Sequence, residues 1–211
     1  MTFFIAGEEV QLEANLREPK ETPRGAVVVC HPHPVYGGTM DNRIVYRAAK
    51  AAAAAGFAAL RFNFRGVGQS TGQFDQGLGE KDDVAAAVRW IRHRYPALPL
   101  ALIGYSFGAW VGLQIGCADP AVTAMVGIAP PLDLYAMDFL VENPKPSLYI
   151  VGTSDEFCSR ESILRLKPRL PAASSLHLLE GADHFFSEHL EMVEGLISGF
   201  FHKLPLGLPL S

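Results

Sequence analysis

Residues 102–108 read LIGYSFG, and this stretch decides how the rest of the chain is interpreted. An apolar strand pattern is followed by Ser106, which stands between Gly104 and Gly108, and then by a helical pattern. A serine in a sharp strand-to-helix turn is exposed, and the converging backbones need small residues two positions to either side. The pattern therefore predicts a nucleophile elbow at Ser106. The alternative is a glycine-rich turn whose serine has no role.

The segments on both sides of this turn alternate between strands and helices. Apolar runs predict strands over residues 26–30, 57–62, 100–103, 122–128, 147–151 and 174–179, after an antiparallel entry strand within 9–16. Apolar residues at helical spacing predict helices over 42–55, 80–94, 109–117 and 188–202. Such alternation is typical of an α/β fold with a mostly parallel sheet and helices on both faces. Residues 204–211 are predicted to form an irregular tail.

Composition limits the class of protein. A chain of 211 residues predicts a single domain spanning 1–211. The hydrophobic fraction is 49%, and the net charge of -4 argues against nucleic acid as a partner. No apolar run is long enough to span a membrane, and the first ten residues do not resemble a signal peptide. Three scattered cysteines suit a reducing compartment, so we expect a cytoplasmic protein. The sequence does not predict the oligomeric state.

A histidine and an aspartate that could complete a catalytic triad follow the later strands. His184 lies shortly beyond the last predicted strand, and Asp155 lies shortly beyond the one before it. The carboxyl ends of parallel strands meet at one edge of a sheet, so both side chains should lie near Ser106. The order Ser, Asp, His along the chain is the order that this elbow requires. The carboxylates that compete with Asp155 are Asp133, Asp138 and Asp183.

An oxyanion hole needs two backbone N–H donors close to the nucleophile. One should be the N–H of Phe107, the residue after the serine. The other should come from the loop after the strand 26–30. Proline has no N–H, which excludes the two prolines of that loop. We favour the backbone of His33, and Val35 and Tyr36 remain alternatives.

The substrate pocket is expected to be open. Only 18 residues, 129–146, separate two consecutive strands at the place where a cap would be inserted. That length allows a loop and a turn of helix but no separate cap domain. The side chains expected to line the pocket are Val35, Tyr36, Phe139, Leu140 and Phe185.

Metal and cofactor sites are not expected. His31 and His33 could suggest a metal pair, but no third ligand has a suitable spacing, and catalytic zinc sites usually have three. The glycines of residues 66–72 lack the spacing of a dinucleotide-binding loop, and no helix begins directly after them. We interpret that segment as a turn beside the active-site edge of the sheet.

The motifs resemble those of the α/β-hydrolase superfamily. Within it, the chain is most similar to a small, capless bacterial group of hydrolases related to the dienelactone-hydrolase-like branch. The matching segments are 31–34 (HPHP), 37–42 (GGTMDN), 62–70 (FNFRGVGQS), 104–108 (GYSFG) and 181–186 (GADHFF). The resemblance implies the α/β-hydrolase fold and a triad of Ser106, Asp155 and His184. Dienelactone hydrolases use cysteine as the nucleophile, whereas this chain has a serine.

These features together predict a serine hydrolase of small or short-acyl carboxylic esters, acting through an acyl-enzyme without a cofactor. The expected partner is a small-molecule ester. A thioesterase or an amidase would use the same triad, so the sequence does not separate these activities. From another class, the alternative is a non-catalytic protein of the same fold that binds a small molecule or a partner.

Overall fold

The computed structural model describes residues 2–204, which form one eight-stranded sheet with helices on both faces. The strands lie in the order β1-β2-β4-β3-β5-β6-β7-β8. Their bounds are β1 Thr2–Ala6, β2 Gln11–Arg17, β3 Gly25–Cys30, β4 Phe57–Phe62, β5 Leu100–Tyr105, β6 Val122–Ile128, β7 Ser147–Gly152 and β8 Ser174–Leu179. Strands β1 and β2 are antiparallel, and the six from β3 to β8 are parallel. The predicted mostly parallel α/β sheet is therefore confirmed.

Five α-helices of the described residues cover the sheet. Their bounds are α1 Arg43–Ala54, α2 Leu78–Arg94, α3 Phe107–Ala118, α4 Arg160–Leu166 and α5 Leu190–Lys203. Helices α1 and α5 pack together on one face, and α2 and α3 pack together on the other. All residues of β3, β4 and β5 are buried between these two layers, which explains why their sequences are apolar except for Arg61 of β4. No helix within residues 2–204 is long and apolar enough to cross a membrane.

The structure differs from the sequence predictions mainly at the ends of the chain and of its elements. Strand β1 and helix α4 were not predicted, and β5 continues two residues further, to Tyr105. The apolar pattern of β1 is incomplete because this edge strand pairs only with β2. Leu204 is a bend, and the rest of the predicted tail, 205–211, lies outside the described residues.

The segment between β6 and β7 contains only loops and a short 3₁₀ turn, Asp138–Leu140. That turn packs against α3 and does not extend over the carboxyl ends of the strands. The parallel strands therefore end at an edge that no inserted domain covers, as the short spacing predicts.

The two glycines that flank Ser106 lie where backbones converge. A Cβ atom on Gly104 would lie 2.5 Å from the Cα atom of Ala109 and would also meet the carbonyl oxygen of Gly108. A Cβ atom on Gly108 would lie 2.6 Å from the carbonyl oxygen of Cys30. The strand, the turn and helix α3 can therefore approach one another only if both positions have no side chain.

A pair of glycine substitutions tests this packing. Gly104→Ala should destabilise the fold by about 1–3 kcal/mol or more, because the added methyl group meets backbone that cannot move aside. Gly199→Ala is the matched control, since an added Cβ at Gly199 in α5 has no neighbour within 4 Å. That change should stabilise the fold by about 0.5–1 kcal/mol through helix propensity. Denaturant unfolding measures both values, and an equal effect of the two substitutions would contradict the argument.

Candidate active site

Ser106 lies in a strained turn between β5 and α3. Its backbone has φ 54° and ψ -121°, in a region that residues with a side chain rarely adopt. Two hydrogen bonds hold the turn: the Ser106 N–H donates to the Ile128 carbonyl at 2.9 Å, and the Ser106 carbonyl accepts from the Ala109 N–H at 2.8 Å. The turn brings the Ser106 side chain to the wall of a cavity at the carboxyl edge of the sheet.

His184 connects Ser106 to a buried carboxylate. Its Nε2 atom lies 2.9 Å from the Ser106 Oγ atom, and its Nδ1 atom lies 2.9 Å and 3.0 Å from the two carboxylate oxygens of Asp155. An ionised carboxylate only accepts, so Nδ1 carries the hydrogen and Nε2 is left to accept from the serine hydroxyl. This geometry can take the proton of Ser106 and hold the resulting imidazolium beside a negative charge.

The loops after β7 and β8 bring the acid and the base together. A Cβ atom on Gly152 would collide with the carbonyl oxygen of Ala182, so this glycine lets the two loops touch. The Ser154 N–H donates to the same carbonyl at 3.0 Å. The Asp155 carboxylate also accepts from the Phe157 N–H at 2.8 Å, which fixes its orientation.

The competing carboxylates are engaged elsewhere. Asp133 accepts from the Ser159 N–H at 2.5 Å and from the hydroxyls of Ser159 and Ser162. Asp183 accepts from the backbone and the hydroxyl of Ser187. Asp138 forms an ion pair with an arginine, Arg169. Of the four candidates, only Asp155 contacts His184.

Two backbone N–H groups beside Ser106 are free of hydrogen-bond partners within residues 2–204: those of Phe107 and His33. Phe107 is the first residue of α3, where N–H groups have no partner in the helix. The other two candidate donors are used, since the Val35 N–H donates to the His33 Nδ1 atom and the Tyr36 N–H donates to the His33 carbonyl. His33 and Phe107 line the same cavity as Ser106.

His31 has a structural environment that does not suit a metal ligand. Its side chain is fully buried, with Nε2 3.0 Å from the Phe64 backbone nitrogen and Nδ1 2.6 Å from the Pro32 carbonyl oxygen. Because Phe64 N–H can only donate, Nε2 accepts and Nδ1 carries the hydrogen. Burial lowers the pKa of His31 to about 3, so the ring is neutral. Both ring nitrogens are therefore already engaged with the backbone.

The cavity at Ser106 has a volume of about 470 Å³. Two of the five predicted pocket residues, Tyr36 and Phe185, line it. The other three do not, and the prediction for them is wrong. Leu140 is fully buried in the core and Phe139 packs against that core, because the turn after β6 folds onto α3; Val35 is exposed outside the cavity.

Several residues of the cavity wall were missed from the sequence. They are Asn42, Tyr105, Pro131, Leu134, Tyr135 and Phe157. Four of them lie in the loops after β6 and β7: Pro131, Leu134, Tyr135 and Phe157. Loops in this position lie at the carboxyl edge of the sheet, so their residues could have been predicted to line the cavity. Tyr135 is held in place by Trp110 of α3, whose ring stacks on it with a centroid distance of 4.0 Å.

The described wall of the cavity is largely aromatic, and it has no charged side chain that could form an ion pair with a substrate. Its described residues include no aspartate, glutamate, lysine or arginine. Eight of the fifteen have aromatic or imidazole rings, among them Tyr36, Tyr135, Phe157 and Phe185. Such a surface suits an uncharged substrate, because a buried charge needs an opposite charge or hydrogen bonds.

Several known proteins are similar to this chain in sequence and in fold. The sequence profile of the X-Pro dipeptidyl-peptidase (S15) family matches residues 7–144, a segment that ends before Asp155. An uncharacterised protein of Rickettsia prowazekii (strain Madrid E) is 34% identical over 206 residues, which cover 93% of this chain and 87% of that protein.

Solved structures agree in fold over nearly the whole chain. An α/β serine hydrolase homologue from Coxiella burnetii is 33% identical and superposes with a TM-score of 0.88, covering 94% of this chain and 96% of the other. An α/β serine hydrolase without lid from Xanthomonas campestris is 30% identical, with a TM-score of 0.86 and coverage of 100% and 96%. The match to a structure without a lid agrees with the uncovered edge of the sheet.

His31 gives the protein a testable dependence of stability on pH. Its pKa is about 3 in the folded chain and about 6.5 in an unfolded one. Between these values the unfolded chain binds a proton that the folded chain does not. The contribution of neutral His31 to stability is therefore complete above pH 6.5 and is lost as the pH falls towards 3.

We expect the wild type to lose about 2 kcal/mol more unfolding free energy than His31→Gln when the pH falls from 7 to 5. The variant has no titrating ring at this position, so it lacks this part of the loss. Denaturant unfolding of both proteins at the two pH values measures the difference. Equal losses would contradict the buried, neutral state of His31.

Proposed function

Because the chain belongs to the S15 family of the α/β-hydrolase superfamily, we propose that it is a serine hydrolase that cleaves small or short-acyl carboxylic esters. One observation carries the proposal: Ser106, His184 and Asp155 form a continuous hydrogen-bonded chain at the wall of a neutral cavity. A serine is a useful nucleophile only when a base accepts its proton and a third group orients that base.

In the proposed reaction, the Ser106 hydroxyl oxygen attacks the ester carbonyl carbon while His184 Nε2 takes the proton. The N–H groups of Phe107 and His33 receive the negative charge that develops on the carbonyl oxygen. His184 then gives the proton to the leaving alkoxide, and an acyl-enzyme remains on Ser106. Water, deprotonated by His184, releases the carboxylic acid and restores the serine. Asp155 stabilises the imidazolium in both halves.

The cavity favours esters over the reaction for which the S15 profile is named. An X-Pro dipeptidyl-peptidase acts at a free peptide N-terminus, and its substrate therefore carries an ammonium group. Recognition of that group calls for a carboxylate near the nucleophile. The described cavity wall has none, and the Asp155 carboxylate is buried behind His184. A neutral ester needs no such partner.

Two other functions, a thioesterase and a non-catalytic binding protein, are less clearly distinguished from an esterase. Thioester hydrolysis needs the same attack and the same oxyanion donors, so a thioesterase remains an alternative within the same site. A non-catalytic binding protein is disfavoured by the backbone of Ser106, whose positive φ costs of order 1–3 kcal/mol and brings no benefit unless the hydroxyl reacts.

Labelling of Ser106 tests the proposal directly. A fluorophosphonate probe should label the wild type at one residue, and Ser106→Ala should abolish both labelling and hydrolysis of p-nitrophenyl acetate. Loss of the nucleophile in comparable triads lowers kcat by about 10⁶. Circular dichroism serves as the folding control. A folded Ser106→Ala variant that keeps more than about 1% of the wild-type rate would exclude Ser106 as the nucleophile, because removal of a nucleophile lowers kcat far more than this.

Two isosteric substitutions test the acid. Asp155→Asn should lower kcat by roughly 10⁴, because a neutral amide cannot balance the imidazolium charge and, when its NH₂ group donates to Nδ1, it holds His184 in the wrong tautomer. Asp133→Asn is the matched control and should change kcat little, since the Asp133 carboxylate accepts hydrogen bonds from Ser159 and Ser162 and makes none with His184. The reverse order of the two effects would move the acid to Asp133.

The open edge of the sheet sets the expected chain length of the acyl group. Each buried CH₂ contributes about 0.8 kcal/mol, roughly a fourfold gain per methylene, but only while protein covers the chain. With no cap, kcat/KM for p-nitrophenyl esters should be highest at about two to four acyl carbons. A series of graded chain lengths measures this. A maximum at about ten carbons, or a rate jump above the critical micelle concentration, would reveal a tunnel or lid instead.

A further inference from the structure

His31 is a buried, titratable group for which the proposed reaction has no use. It lies at the end of β3, two residues before the proposed oxyanion donor His33. Its ring is fixed at both nitrogens: Phe64 N–H donates to Nε2 at 3.0 Å, and Nδ1–H donates to the Pro32 carbonyl at 2.6 Å. The ring also packs edge-on against the Phe64 side chain, with a centroid distance of 4.6 Å.

The bond to Pro32 orients the peptide group that supplies the proposed donor. The Pro32 carbonyl and the His33 N–H belong to one peptide unit, and no peptide bond within residues 2–204 is cis. In a trans peptide, the carbonyl and the N–H point in opposite directions. A ring that holds the carbonyl on one side therefore directs the N–H towards the other. That N–H has no partner within residues 2–204, and His33 lines the cavity.

The loop is packed tightly behind the same peptide. The Gly38 N–H donates to the His33 carbonyl at 3.0 Å, and a Cβ atom on Gly38 would collide with the Pro32 carbonyl oxygen. Further along, Met40 is fixed by two buried side chains: its N–H donates to the Asn63 side chain, and its carbonyl accepts from Arg61, each at 2.7 Å. The Pro32–His33 peptide thus has little freedom to rotate.

We propose that His31 is a positioning residue for the oxyanion hole: its Nδ1–H holds the Pro32 carbonyl and so aims and polarises the His33 N–H. This inference rests on the proposed function. A hydrogen bond to the carbonyl of an amide strengthens the N–H of the same amide as a donor, because neighbouring hydrogen bonds polarise one another. Histidine suits this position because one neutral ring both accepts from Phe64 and donates to Pro32.

Two amide substitutions separate these two bonds. In His31→Asn, the side-chain amide reaches the place of Nδ1 and can still donate to the Pro32 carbonyl, while the Phe64 N–H loses its acceptor. In His31→Gln, the longer side chain can accept from Phe64 but places no donor at Pro32. Each variant loses one buried hydrogen bond, so both should show a similar loss of thermal stability.

The kinetic results should differ between the two variants. For p-nitrophenyl acetate, His31→Gln should lower kcat by about 10- to 100-fold with KM within about threefold, because one oxyanion donor is misaimed rather than removed. The affinity for a boronic acid, whose tetrahedral adduct with serine mimics the reacting state, should fall by the same factor as kcat. His31→Asn should keep kcat within about threefold of the wild type.

Three outcomes would overturn the inference: equal kcat in the Asn and Gln variants, an effect on KM alone, or a loss of kcat without a loss of boronic-acid affinity. If His31→Gln does not fold, Gly38→Ala at a buried position of the same loop displaces the Pro32 carbonyl from the other side and should lower kcat selectively; unchanged kcat there would overturn it too. A wild type that neither hydrolyses esters nor binds the fluorophosphonate would instead refute the proposed function, and this inference with it.

Discussion

The site depends on a single strained residue, Ser106, whose φ of 54° is held against its own preference by the packing of the sheet. The Ser106 N–H bonds to the end of β6, and glycines on both sides allow β5 and α3 to close around the turn. A parallel sheet then places the loops after β7 and β8 at the same edge, and their contact at Gly152 sets His184 against Asp155. The proposed chemistry is thus a consequence of close backbone packing at one edge.

Much of this arrangement could be predicted because short motifs stand at strand ends. The elbow, the place of His184 after the last strand and the parallel direction of most strands all follow from local patterns. The sequence favours Asp155 as the acid but does not exclude Asp133, since each follows a strand. In the structure, the N-cap and first turn of α4, a short helix that the sequence did not predict, supply the serine hydroxyls that bind Asp133. Two of the three wrongly predicted pocket residues, Phe139 and Leu140, lie in a loop that packs onto α3, and such a tertiary contact leaves no local pattern in the sequence.

The two histidines of the HPHP segment show how a pattern of side chains can conceal a function of the backbone. By sequence they resemble a pair of metal ligands. In the structure, the His31 ring is buried and bonded to the backbone at both nitrogens, and the His33 imidazole accepts from the N–H of Val35. Within this segment, the N–H that has no partner among residues 2–204 and lies beside Ser106 is that of His33. In our account the segment serves to present that amide, and the side chains hold it in place.

The proposed reaction requires the transfer of an acyl group to Ser106. Rapid mixing of the protein with p-nitrophenyl acetate, followed by acid quenching and peptide mass spectrometry, measures this transfer most directly. We expect an acetyl group on the peptide that carries Ser106, formed together with a burst of p-nitrophenol and absent from Ser106→Ala. Hydrolysis by the wild type with an acetyl group on another residue, or with no adduct on any residue, would contradict it.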